Sequence, residues 1–183
     1  MEEKVTLETK PTVSRWANRF IWASIIQGLF AVAWTIPIVL PNIRPSVAQV
    51  IASGSAGTWF LVGYTMYIVV GVFGAAVTAL FYHHLEVEMK KTIKGFSNAL
   101  AWVHLVVMNV GAAAVTWALM FAGYFGEADL MPASEGGKGL NAGQVHVILL
   151  SHFIDPVGAL LIITALGVLA GGLVFVLTYF RKE

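Results

Sequence analysis

Two stretches of this chain, Ala56 to Tyr82 and Phe96 to Tyr124, contain no Asp, Glu, Lys or Arg. A helix needs roughly 20 apolar residues to cross the ~30 Å hydrocarbon layer of a bilayer, and both stretches exceed that length. No water is at hand there to solvate loose backbone, so each must close its own hydrogen bonds as a helix. Only the charged segment Glu86 to Gly95 separates them. The pair therefore predicts a transmembrane hairpin turning near Ile93.

The rest of the chain repeats the pattern. A polar segment precedes a first span expected at about 19–40, with Trp16, Trp22 and Trp34 near its ends as interfacial anchors and Pro37 and Pro41 marking its exit. A first apolar run so placed and so long does not read as the h-region of a cleavable signal. Residues 46–52 look like a short helix. The second span covers about 57–82, with a solvated continuation towards Lys90, and the third about 97–124. From Gly143 the chain is apolar to Phe180, too long for one ordinary span, and Asp155-Pro156 offers an N-cap followed by a first-turn proline. The expectation is thus a surface helix at about 144–154 and a fourth span at about 156–180, with a single kinked helix as the rival. The fold class is all-α: a four-transmembrane-helix bundle with a short outer surface helix before the last span, one integral membrane domain over 1–183.

Composition agrees. Charged residues make up 11% of the chain, against about 25% in soluble domains, so most of the surface must face lipid. Helices meeting in lipid do so through small residues. Gly167 and Gly171 form a GxxxG pattern on the last span. Tyr64, Tyr67, Gly71, Ala75, Thr78 and Tyr82 make a protein-facing stripe on the second, and Asn109, Ala112, Ala113 and Thr116 make one on the third.

Charge sets orientation. Lys4, Lys10, Arg15, Arg19, Lys90, Lys91, Lys94, Arg181 and Lys182 flank one end of the predicted spans, and only Arg44 and Lys138 flank the other. By the positive-inside bias, both termini are cytoplasmic in the cell membrane. The net charge of +1 gives nucleic acid nothing to bind. The absence of cysteine excludes disulfides, thiolate-held iron–sulfur clusters and thioether-linked haem.

Ionisable groups inside a membrane are costly and usually face protein. His104 lies about two turns into the third span, roughly 10 Å from its start. His83 and His84 end the second span. Residues equidistant from the turn should meet at one depth, which sets His83 or His84 level with His104. Two level imidazoles are what a bis-histidine b-type haem requires, and the helical wheel favours His83. The plainer alternative has His83 and His84 reaching towards interfacial water and His104 bonded to a neighbouring helix. On the opposite side His146, His152 and Asp155 offer two imidazoles and a carboxylate for copper or another transition metal, with Glu127 or Asp129 swinging in. There the plainer alternative is an Asp155 that caps a helix. No phosphate loop, nucleophile elbow, His-Glu-x-x-His pattern, arginine series or internal repeat occurs.

Span three reads Trp102-Val103-His104-Leu105-Val106-Val107-Met108-Asn109-Val110-Gly111 and leaves through Ala122-Gly123-Tyr124. It resembles the penultimate helix of the catalytic subunit of haem–copper oxidases and nitric oxide reductases. Span two, with Gly71-Val72-Phe73-Gly74 and Phe81-Tyr82, resembles the helix before it, and span four would match the last. In that family the span-two equivalent opens with two haem-binding histidines, whereas here Gly57-Thr58-Trp59-Phe60 stands in their place. What the resemblance implies is a respiratory setting without the oxygen-reducing site. The expected role is a non-catalytic subunit of an oxidase-like electron-transfer complex, with lipid and other membrane subunits as partners. The alternatives are a free-standing b-type cytochrome or an outward-facing metal-binding membrane protein.

Overall fold

The computed structural model describes residues 14–40 and 43–181. Long helices α1 (Arg15–Val39), α3 (Gly57–Glu88), α4 (Phe96–Leu130) and α5 (Ala142–Tyr179) are each long and apolar enough to cross a membrane. Short α2 (Val47–Ser53) lies between α1 and α3. A single 3₁₀ turn, Ala133–Glu135, lies in the loop before α5. There is no strand among the described residues. The chain is an all-α, multi-pass membrane protein. Its long helices pack in sequence order, α1 on α3, α3 on α4 and α4 on α5.

Close approach between these helices depends on missing side chains. A Cβ on Gly123 of α4 would run into the backbone of Phe60 in α3, and one on Gly63 would meet the Thr116 carbonyl. Between α4 and α5 the same part falls to Gly167, which rests on the Met108 backbone, and to Gly171, which rests on His104. The predicted GxxxG is thus the α4–α5 contact. On α3 the predicted stripe is also the buried one, since Tyr67, Gly71, Ala75, Thr78 and Tyr82 all face inward.

The two ends of the bundle are distinct. At one end Lys91 Nζ donates to the Arg181 carbonyl at 2.7 Å and Arg15 reaches Asn98 at 3.3 Å. At the other, Tyr124 donates to the Pro45 carbonyl at 2.9 Å and Lys138 pairs with Asp129 at 2.9 Å. Each end also places a carboxylate from one helix at the start of another, where free backbone N–H groups favour a negative charge. Glu86 accepts from the Ser14 hydroxyl at 2.5 Å and from the Trp16 N–H at 2.9 Å. Glu127, itself buried, accepts from the Gly57 N–H at 3.2 Å.

Three expectations are corrected. First, residues 144–154 are not a separate surface helix. The chain runs without a break from Ala142 to Tyr179, and Pro156 sits inside the helix. The start signal is Asn141, whose side chain accepts from the Gln144 N–H while Gln144 accepts from the Asn141 N–H, both at 2.9 Å. Proline inside the helix forfeits one backbone bond, to the carbonyl of His152, a loss that membrane-associated helices tolerate. Second, Trp16 is not an interfacial anchor. It is wholly buried, stacked on Tyr82 at 5.8 Å, with the Arg19 guanidinium 4.4 Å above its ring. Third, α4 and α5 outlast their predicted spans, whereas α3 runs on to Glu88 as its expected continuation towards Lys90 requires.

Helices of 32, 35 and 38 residues reach roughly 48–57 Å, well over the ~30 Å of hydrocarbon. The 25-residue α1 reaches only roughly 38 Å. Beside the Pro45 end of α1, α2 and the far ends of α4 and α5 gather as a cap at one end of the bundle.

Candidate functional site

All four long helices converge on His104, which is 6% exposed. The Phe20 ring of α1 lies 4.9 Å from its centroid, and Gly171 of α5 presses its bare backbone against the imidazole. The Tyr82 hydroxyl of α3 stands 3.1 Å from Nδ1. On its own helix, Met108 Sδ stands 3.2 Å from Nε2. Residues His104–Met108 form a π-helical turn, a local insertion often found at functional sites. A thioether sulfur only accepts. For both contacts to be hydrogen bonds, Nε2 must carry the proton and donate to sulfur, while Tyr82 donates to Nδ1.

His104 and Tyr82 form part of the floor of a cleft of about 630 Å³ between α3 and α5. Val69, Phe73, Val77 and Phe81 on α3 and Val168 on α5 form its exposed rim. Of the lining side chains only His104, Tyr82 and Thr78 are polar, and the Thr78 hydroxyl is spent on the Gly74 carbonyl at 2.8 Å. The result is an apolar slot, open sideways, with one polar node at its base.

Depth matching from the turn holds, but the residue it delivers is different. Tyr82 and His104 are equidistant from Ile93, and they are the pair in contact. His83 is exposed and lines a different cleft, between α1 and α3, with Ala17, Ile21 and Ala79. His84 is exposed as well. The structure brings neither to His104. A bis-histidine haem needs a second imidazole facing the first across the iron. Here the first has its nitrogens against Tyr82 and Met108, and no second histidine lines the cleft. The residues present do not fit that group.

The other predicted cluster is spread along the N-terminal part of α5. His146, His152 and Asp155 are all exposed, and a π-helical turn, His146–Leu150, separates the first from the others. Glu127 is engaged with Gly57 and Asp129 with Lys138. Among the described residues no group of three or more His, Asp or Glu stands close enough together to hold a metal ion.

A second buried polar node escaped the sequence reading. Gln27 of α1 inserts between α3 and α4. Its Nε2 donates to the Asn109 carbonyl at 3.0 Å, and the Tyr67 hydroxyl donates to its Oε1 and, at 3.2 Å, to its backbone carbonyl. Its one signal was a lone amide in an otherwise apolar span. Comparison with known proteins finds no matching family model, no matching curated protein and no matching solved structure.

Proposed function

We propose that this protein is a non-catalytic subunit of an electron-transfer complex in the cell membrane, with both termini cytoplasmic. The observation that carries this reading is the outer cap. From Tyr179, at the Lys91–Arg181 end, Val147 lies roughly 48 Å along α5, more than the ~30 Å of hydrocarbon, yet Val147 and Ile148 are 68% and 58% exposed. Large apolar side chains beyond the lipid are normally covered by protein. A neighbouring membrane subunit reaching past the headgroups is the partner of that chemistry.

Two further features support the reading. Within the spans Gln27, Tyr67 and Asn109 hold helices together, as do Ser24 on the Val72 carbonyl at 3.0 Å and Thr35 with Tyr64 at 2.7 Å. These groups serve assembly rather than chemistry. The cytoplasmic placement of the termini rests on the basic residues gathered at the Lys91–Arg181 end. The electron-transfer setting rests on the resemblance of α3 to α5 to the oxidase subunit.

Isolation of tagged protein in mild detergent tests this. A haem-bearing membrane partner should co-migrate with the wild type, and Val147→Glu with Ile148→Glu should release it while the variant stays folded in the membrane. A chain that migrates alone, or one that shows a Soret band of its own when pure, would contradict the reading.

A further inference from the structure

We infer that the cleft between α3 and α5 binds the ring of a lipid-soluble quinone, one carbonyl oxygen of which accepts the Nε2–H of His104. The binding geometry is argued from the cleft alone. The choice of a redox carrier among carbonyl-bearing lipids rests on the proposed electron-transfer function.

Size and access come first. A volume of about 630 Å³ falls within the roughly 300–1,000 Å³ of small-molecule sites. The rim side chains Val69, Val77 and Val168 are exposed, whereas His104 and Tyr82 at the floor are buried, so a ligand enters from the lipid and not from water. Phe73 and Phe81 stand on the rim and Phe175 lines the wall. Aromatic side chains favour a flat ring over a saturated chain, through stacked or edge contacts.

Hydrogen bonding then selects the polar group. The Nε2–H of His104 is spent on a thioether, a weak acceptor. A carbonyl oxygen is a far better one. Met108 is unbranched and adaptable, and its methyl group packs closely on Gly74, where an added Cβ would come to a tight 3.2 Å. Met108 lines the cleft, so its flexible thioether can turn into that space and yield its place. Tyr82 donates to Nδ1, and its own oxygen keeps lone pairs free for the hydroxyl of a reduced ring. All of this capacity sits at the floor of the cleft. The rest is apolar, so an isoprenoid tail runs out over Val69 and Val168 into the bilayer. A plain acyl chain would leave the donor on sulfur.

The test uses the isolated chain in phosphatidylcholine nanodiscs, titrated with a short-tailed benzoquinone or naphthoquinone, with empty nanodiscs as the partition reference. One saturable site is expected. His104→Leu should weaken it about tenfold or more, the value of one well-placed hydrogen bond to a buried donor. Val168→Trp plugs the mouth from the exposed rim, where folding is indifferent to it, and should weaken binding at least as much. Met108→Leu should leave affinity unchanged or raise it, because no sulfur competes. A straight-chain ketone of equal hydrophobicity should bind about tenfold less tightly.

Partition without saturation, binding indifferent to Val168→Trp, or a ketone that binds equally well would each overturn the inference. No partner subunit enters this titration. A chain that binds quinone but migrates alone would keep the site and lose the complex, and the reverse result would do the opposite.

Discussion

The two buried polar nodes of this bundle are built from similar parts, each beside a cleft, and differ in what their donors meet. In the Gln27–Tyr67–Asn109 node Gln27 and Tyr67 donate to oxygens of neighbouring helices and the Asn109 amide donates to the Leu105 carbonyl of its own helix at 2.8 Å, so nothing remains for a ligand. In the Tyr82–His104–Met108 node the tautomer that makes both contacts hydrogen bonds leaves one donor on sulfur, and the cleft beside it is the larger, about 630 Å³ against about 420 Å³. In lipid an unmet polar group is expensive, which makes the first node a clasp. The second is held less firmly by its own protein, and it is the one that has something left to offer a ligand.

A glycine beside each node allows a direct comparison, and the largest effect belongs there. The Cβ of Gly171→Ala would enter the His104 ring, which Phe20 and Tyr82 hold from other sides. We expect a loss of about 2–3 kcal/mol by overpacking, together with loss of quinone binding. Gly71→Ala beside the clasp would meet only the Tyr67 ring edge at 3.3 Å and should cost at most about 1 kcal/mol. Unfolding in detergent, followed by tryptophan fluorescence, ranks the two. Equal costs would erase the distinction between the nodes.

Next comes Gln27→Leu, which strips the clasp of its amide. Interhelical hydrogen bonds in membranes contribute about 0.6 kcal/mol on average and up to about 1.7 kcal/mol. Stability should fall by that order with quinone affinity unchanged. A drop in affinity would show that the clasp, too, shapes the cleft.

Tyr82→Phe should cost about 0.5–1.5 kcal/mol and free His104 to adopt its other tautomer, visible as a change in its ring nitrogen resonances. Smallest is Met108→Leu, a nearly volume-conserving change worth under about 1.5 kcal/mol. If it were as damaging as Gly171→Ala, the sulfur would be a structural partner of His104 and not a placeholder.

The spans were legible because an uncharged stretch longer than a bilayer has one physical solution. Depth was legible as well, since a hairpin of two helices sets residues level by counting from Ile93. The side of the helix was legible on α3 too, since the stripe from Tyr67 to Tyr82 is the buried one. Tyr82, the last residue of that stripe, takes the place opposite His104. The haem reading passes over it because only imidazoles are sought at that depth, and His83 falls beside it on the exposed side. Asp155-Pro156 misled for another reason. Cap residues mark where a helix is able to start, but the Asn141 and Gln144 pair had already started it. Gln27 was visible as a residue and silent as a role, because its two partners come from other helices.

The claim on which the rest depends is that His104, alone among the 5 histidines, faces a ligand from the lipid. Nitrogen-15 spectra of histidine-labelled protein in bilayers, with and without a short-tailed quinone, test it most directly. One imidazole, assigned to His104 by its loss in His104→Leu, should show a protonated Nε2 that moves on binding while the other four stay still. A shift at His83 or His84, or none at any imidazole, would contradict the account.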